Sequence, residues 1–215
     1  MKLLKLFIFS FCLITAARVL AAACCGGGFS VPSLITGDDK AMLTTSFGYS
    51  KVDTDVSQHG VWKKNTDDQI SQTFKIEAAH IFSDRFQVGG SLPMVQRNRG
   101  SQDSSSGFGD TSLMLGYEYL PDWDYNLYRP KGIGFLQLTL PTGKSIYDAN
   151  DQDQLDARGR GFWALGVGTS LTKSIRAWDF HTLFEFHRAF QKTTNSEQAS
   201  GQITVKPGWG GSLEV

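Results

Sequence analysis

The sequence has little of what would place it in the commoner protein classes. Its 215 residues include 3 cysteines and 6 prolines, and three cysteines cannot make a disulfide framework. Lys plus Arg balances Asp plus Glu at 21 each, so no basic excess points to nucleic acid. Hydrophobic residues make up 40% of the chain, too little for a bundle of membrane helices. The one apolar run, Leu6 to Ala17, is shorter than the roughly 20 residues a spanning helix requires, and Arg18 ends it. What the chain does have is 23 glycines and 15 phenylalanines, a composition that suits strands and turns whose aromatics sit on a surface.

The first 23 residues differ in kind. Lys2 and Lys5 precede the apolar run, and Ala21-Ala22-Ala23 follows it. This is the pattern of a secretory signal peptide with a small-residue cleavage site, which sends the chain beyond the inner membrane. Cys12 leaves with that segment, so the mature chain keeps Cys24 and Cys25, adjacent and unsuited to bridging each other. Ala21-Ala22-Ala23-Cys24 is a degenerate lipobox that makes Cys24 a candidate for lipidation; plain cleavage after Ala23 is the alternative. Residues 24–40 form a glycine-rich leader that either plugs a lumen or hangs free.

From Ala41 onward a period of two recurs, as half-buried strands require. Leu43, Phe47 and Tyr49 oppose Thr44, Ser46 and Gly48; Phe74, Ile76 and Ala78 oppose Lys75 and Glu77; Phe86, Val88, Leu92 and Met94 share a face. Leu113, Leu115, Tyr117 and Tyr119 oppose Ser112, Met114, Gly116 and Glu118. Leu136, Leu138 and Leu140 oppose Phe135, Gln137 and Thr139. Trp163, Leu165, Val167 and Leu171 oppose Ala164, Gly166, Gly168 and Ser170. Trp178, Phe180, Phe184, Phe186 and Phe190 oppose Asp179, His181, Glu185 and His187, and an eighth strand starts near Trp209.

Connections predicted over 52–68, 96–106, 145–161 and 191–206 are long and polar, and those between them are shorter. Long and short loops alternate as in an outer-membrane barrel, whose first strand runs outward from the periplasm. A soluble sandwich would alternate too. The signal peptide weighs against it, as do Tyr49, Trp163, Trp178, Phe190 and Trp209, which stand near strand ends where an interfacial aromatic girdle belongs.

The Gly109-Asp110 pair leads into an alternating strand ending in tyrosines, and the next strand closes on Leu140-Pro141-Thr142-Gly143. Over roughly residues 107–170 these signals resemble the outer-membrane channel family named for the MetA pathway of phenol degradation. The resemblance implies a passive channel for small, apolar or aromatic molecules. Channels of that family are longer, so it also implies a barrel of about ten to twelve strands of which eight are readable here. The sequence stops while 210–215 still alternate, without the terminal aromatic of outer-membrane barrels, and truncation is the expectation over a closed eight-stranded barrel.

The candidate lumen residues are Lys75, Glu77, Glu118, Asp179, His181, Glu185 and His187. Metal binding by the last four is disfavoured, because residues two apart on a strand lie nearly 7 Å from each other, whereas metal ligands converge within about 2 Å of one ion. A lipid hydrolase built on these histidines, carboxylates and a serine is a distant reading. The favoured one is a network pairing these groups across the lumen. Asp148, Asp151, Asp153 and Asp156 could suit calcium, but their spacing is not that of an EF-hand, and a solvated acidic loop beside Arg158 and Arg160 is expected. Arg97 and Arg99 could touch lipopolysaccharide, with solvated loop charge as the default. The expectation is therefore an all-β, antiparallel, up-and-down outer-membrane barrel with no enzymatic role and no cofactor, meeting lipid and lipopolysaccharide. A non-transporting structural or surface-interaction barrel is the alternative.

Overall fold

The computed structural model describes residues 33–56, 60–100, 103–122, 126, 128–150, 154–196 and 201–214. The expected signal peptide, Cys24, Cys25, Asp151 and Asp153 lie outside the described residues. Among the described residues eleven strands form: β1 (Ala41–Val56), β2 (Trp62–Ser83), β3 (Phe86–Arg99), β4 (Asp103–Phe108), β5 (Thr111–Leu120), β6 (Lys131–Leu140), β7 (Ala164–Ile175), β8 (Trp178–Ala189), β9 (Lys192–Ser196), β10 (Gly201–Val205) and β11 (Trp209–Glu214). One antiparallel sheet runs β1-β2-β3-β5-β6-β7-β8-β11, with β4 also on β3, and it curls into a half-barrel. β9 and β10 make a separate hairpin.

The eight strands of the main path are the eight that alternation predicts, because each sets most of its large apolar residues on one face. That face is the convex, exposed one: Leu43 is 73% exposed and Phe47 67%, and Leu115, Leu136, Val167 and Phe186 are likewise outward. The buried side chains on the opposite face include Glu77, Gln87, Ser91, Ser112, Gln137, Thr139, Ser170 and Glu185. In a water-soluble domain the distribution is the reverse.

Three expected loops are largely strand. β1 runs on to Val56 and β2 starts at Trp62, with Thr54 paired to Lys64 across a bulge, so little of 52–68 is loop. β3 continues to Arg99 and β4 returns beside it, so 96–106 is a hairpin arm. Residues 191–206 contain the β9–β10 hairpin. These polar segments bury no core of their own; backbone ladders extend them past the alternating region, and side-chain patterning does not register that. The turn between β7 and β8 is only Arg176–Ala177, since Ile175 pairs directly with Trp178.

β4 and β5 are one return strand broken at Gly109-Asp110. The break lies across from Pro93, which has no N–H to give the ladder, while Gly109 N–H donates to Pro93 O at 2.9 Å. The ladder resumes only at Ser91–Ser112, and this irregularity frees the Asp110 side chain from the sheet.

Candidate functional site

The concave face is built from rows of cross-strand neighbours. One row reads Gln87, Gly116, Phe135, Gly168, Glu185, Ser212, each paired with the next. The adjacent row reads Gly89, Met114, Gln137, Gly166, His187, Gly210. In the first row and at Gly89 and Gly210 in the second, glycine sits beside a large side chain and gives it room. A β-carbon on Gly168 would strike the Phe135 ring, and one on Gly210 would strike the His187 imidazole. The inner face is therefore interdigitated, and Met114, Ile133 and Phe135 are fully buried in it.

The candidate residues stand on this face, and several have near neighbours as partners. Lys75 Nζ lies 3.1 Å from Glu77 Oε1 two residues along the same strand. Glu118 meets Lys131 of adjacent β6 at 3.7 Å. Glu185, 1% exposed, has His187 Nδ1 at 3.5 Å from its Oε1 and accepts a hydrogen bond from Ser212 Oγ at 3.4 Å. Desolvation favours such pairs, since a charge leaving water gains most from the closest opposite group the pleat offers. Asp179 and His181 stand at the exposed start of β8, and His181 Nε2 is 3.3 Å from Ser170 Oγ. Ser170 is sealed from solvent, so the pair offers no accessible nucleophile in this arrangement. Lys131, Gln87 and Gln137 were not anticipated, although strand parity alone puts them on this face.

Both ends of the concavity are covered. At the short-turn end the described leader residues 33–36 pack on the concave face, with Ile35 buried, while 37–40 are exposed. Ile35 N–H donates to Gln87 Oε1 at 2.9 Å, and Gln87 Nε2 donates to Ile35 O at 3.3 Å. Lys131 Nζ donates to Gly37 O at 3.4 Å. The described part of the leader is thus bonded to the sheet about Ile35.

At the long-loop end, residues 141–150 and 154–163 fold toward Asp110. Its Oδ1 accepts from Gly143 N–H at 3.0 Å, and its Oδ2 accepts from Arg160 N–H at 2.6 Å and Gly161 N–H at 3.1 Å. Gly161 has φ +68°, a conformation that only glycine adopts cheaply. Thr142 Oγ1 donates to Gly109 O at 2.6 Å and accepts from Thr111 N–H at 2.8 Å. The Gly109-Asp110 and Pro141-Thr142-Gly143 signals thus meet in one knot.

The two described aspartates of the acidic loop, Asp148 and Asp156, are bonded and partly buried, where free solvation was expected. Asp156 pairs with Lys144 and accepts from Asn150 N–H at 3.1 Å. Asp148 accepts from Ser145 Oγ at 2.8 Å, from Lys192 Nζ at 2.6 Å and from Thr194 Oγ1. Burial alone would push the Asp148 carboxyl up; the hydrogen bonds from Lys192, Thr194 and Ser145 and the Lys192 charge outweigh it and hold it below the ordinary value of 3.8. Arg158 Nη1 donates to Ser105 Oγ of β4 at 2.8 Å. Tyr147 packs edge-on to Phe162 at 6.1 Å, over Ala164, Ala189 and Val205.

The expected girdle residues Tyr49, Trp163, Trp178, Phe190 and Trp209 are all exposed. Trp163, Phe190 and Trp209 gather at the long-loop end, where Trp209 stacks on Phe186 at 4.9 Å beneath Arg188. Trp178 is at the short-turn end, with an aromatic group the sequence reading missed: Phe86 touches Phe82 at 5.9 Å and Tyr117 at 4.8 Å. In comparisons with known proteins, the chain matches no family model and no curated protein at a significant level.

Proposed function

We propose that the chain forms a β-barrel of a Gram-negative-type outer membrane and acts as a passive channel for small, apolar or aromatic molecules. One observation carries the membrane part: the continuous apolar, aromatic convex face set against a polar, buried concave one. Such a surface is costly in water and favourable in lipid, where strands alternate apolar-out and polar-in. Aromatic residues at both ends of the strands support the same reading. The solute class rests on the resemblance of residues 107–170 to the channel family. An edge strand cannot stay unpaired in lipid, so the reading requires the free edges of β1 and β11 to be closed in the membrane.

A second reading, a structural or surface-interaction barrel, is favoured by a specific observation. The interior charges are paired locally and Met114, Ile133 and Phe135 are buried among them, as in a filled lumen. Single-channel recording of the full-length gene product in planar bilayers separates the two. Discrete conductance steps are expected of the channel. A folded, heat-modifiable protein that never conducts would leave the structural barrel.

A further inference from the structure

We infer that residues 33–40 are a built-in strap that closes the short-turn end of the lumen and limits what passes; this rests on the channel reading above. Four separate contacts hold it. The Gln87 carboxamide grips both the N–H and the C=O of Ile35, as a neighbouring strand would. Ser33 O comes so near Gly89 that a β-carbon on that glycine would lie 3.3 Å from it. Gly37 O accepts from Lys131 of β6, and Lys40 O accepts from Ile81 N–H at 2.8 Å where β1 begins. The strap therefore reaches from over β3 toward β6 before it joins the sheet. Ile35 is 3% exposed although its chain segment belongs to no strand, so the side chain is taken into the interior.

Gln87 is suited to this and to little else. It stands in the row beside Gly116, whose missing side chain leaves space for the Gln87 stem: a β-carbon there would fall 2.7 Å from Gln87 Cγ. Its amide supplies one acceptor and one donor in the fork that a peptide group offers, so it binds main chain and does not read side-chain identity. Beyond its junction with the sheet at Lys40, the attachment is three hydrogen bonds, one close backbone approach and one buried side chain, few enough for the strap to leave without the sheet unfolding.

The experiment uses the full-length gene product and Gln87→Leu, which keeps the bulk against Gly116 and loses both hydrogen bonds. Two quantities are read: amide hydrogen exchange at Ile35, and single-channel conductance in planar bilayers. The strap predicts exchange at Ile35 faster by about tenfold or more in the variant, exchange in β5 and β6 unchanged, and a larger or more often open channel. Ile35→Ser, which leaves Gln87 in place, should move both readouts in the same direction. A wild-type channel whose conductance neither substitution alters overturns the strap and leaves the channel standing. A folded wild type and variants that all fail to conduct overturn both.

Discussion

Asp110 is a main anchor of the long-loop end. Its carboxylate receives three backbone N–H groups, from Gly143, Arg160 and Gly161, all belonging to the loop that folds inward. Asp110→Ala leaves those donors without their acceptor and is expected to cost about 2–4 kcal/mol. Urea unfolding of the refolded protein measures this, and a change under about 0.5 kcal/mol would mean that the loop is held elsewhere. Asp148 makes a prediction in pH. Its carboxyl is held below 3.8 when folded, so its contribution to stability is present above the unfolded value and is lost as pH falls through the folded one. Carboxyl-carbon NMR should find the Asp148 midpoint below 3.8, and Lys192→Ala should raise it. A wild-type midpoint at or above 3.8 would contradict the bonding described. At this scale the sequence is legible in part. Gly109-Asp110 and Pro141-Thr142-Gly143 stand out as punctuation. Their meeting does not, because they are about thirty residues apart and the groups that join them are mostly main chain, which no residue type announces.

Strands were the most legible elements, for a physical reason. Along β5 or β8 every second side chain must be apolar, whatever the strand pairs with, so a single strand carries its own signature. β4, β9 and β10 lack it: DSSSGF, KTTNS and GQITV are mostly polar or small and owe their form to backbone pairing with a neighbour. Partner choice inside the half-barrel was likewise hidden. Parity put Glu118 and Lys131 on one face, but only the β5–β6 register brings them together. The interdigitated rows yield a packing prediction. Gly168→Val should collide with Phe135 and destabilise by about 1–3 kcal/mol. Phe135→Ala should relieve part of that cost, giving a non-additive double-mutant cycle in urea unfolding. Additive effects would mean the two positions do not share space. The opposite face has its own test. Leu115→Arg should cost about 2–4 kcal/mol for folding into vesicles if the residue meets the bilayer interior, whereas Asp84→Arg in the β2–β3 turn should stay within about 0.5 kcal/mol. Equal costs would argue that Leu115 does not face lipid.

As a whole, the molecule is an antiparallel meander with its grease outside, its polar groups inside and a chain segment folded over each end of the concavity. Composition alone conceals this, because alternation averages the two faces to 40% hydrophobic residues; only their geometry separates them. The arrangement also explains why charge balance and the scarcity of cysteine say so little about function. In a curled sheet of this kind, function follows from which solvent each face meets. The central claim is therefore that the convex face lies in lipid. Spin labels at single cysteines through Ser112 to Tyr117, in the full-length gene product reconstituted into proteoliposomes, test it most directly. Labels at Leu113, Leu115 and Tyr117 should collide with lipid-soluble oxygen and be shielded from a water-soluble nickel complex, and those at Ser112, Met114 and Gly116 should be far less accessible to oxygen, giving a period of two. Nickel accessibility at 113, 115 and 117, or no alternation, would contradict the account and return the chain to a water-soluble sheet.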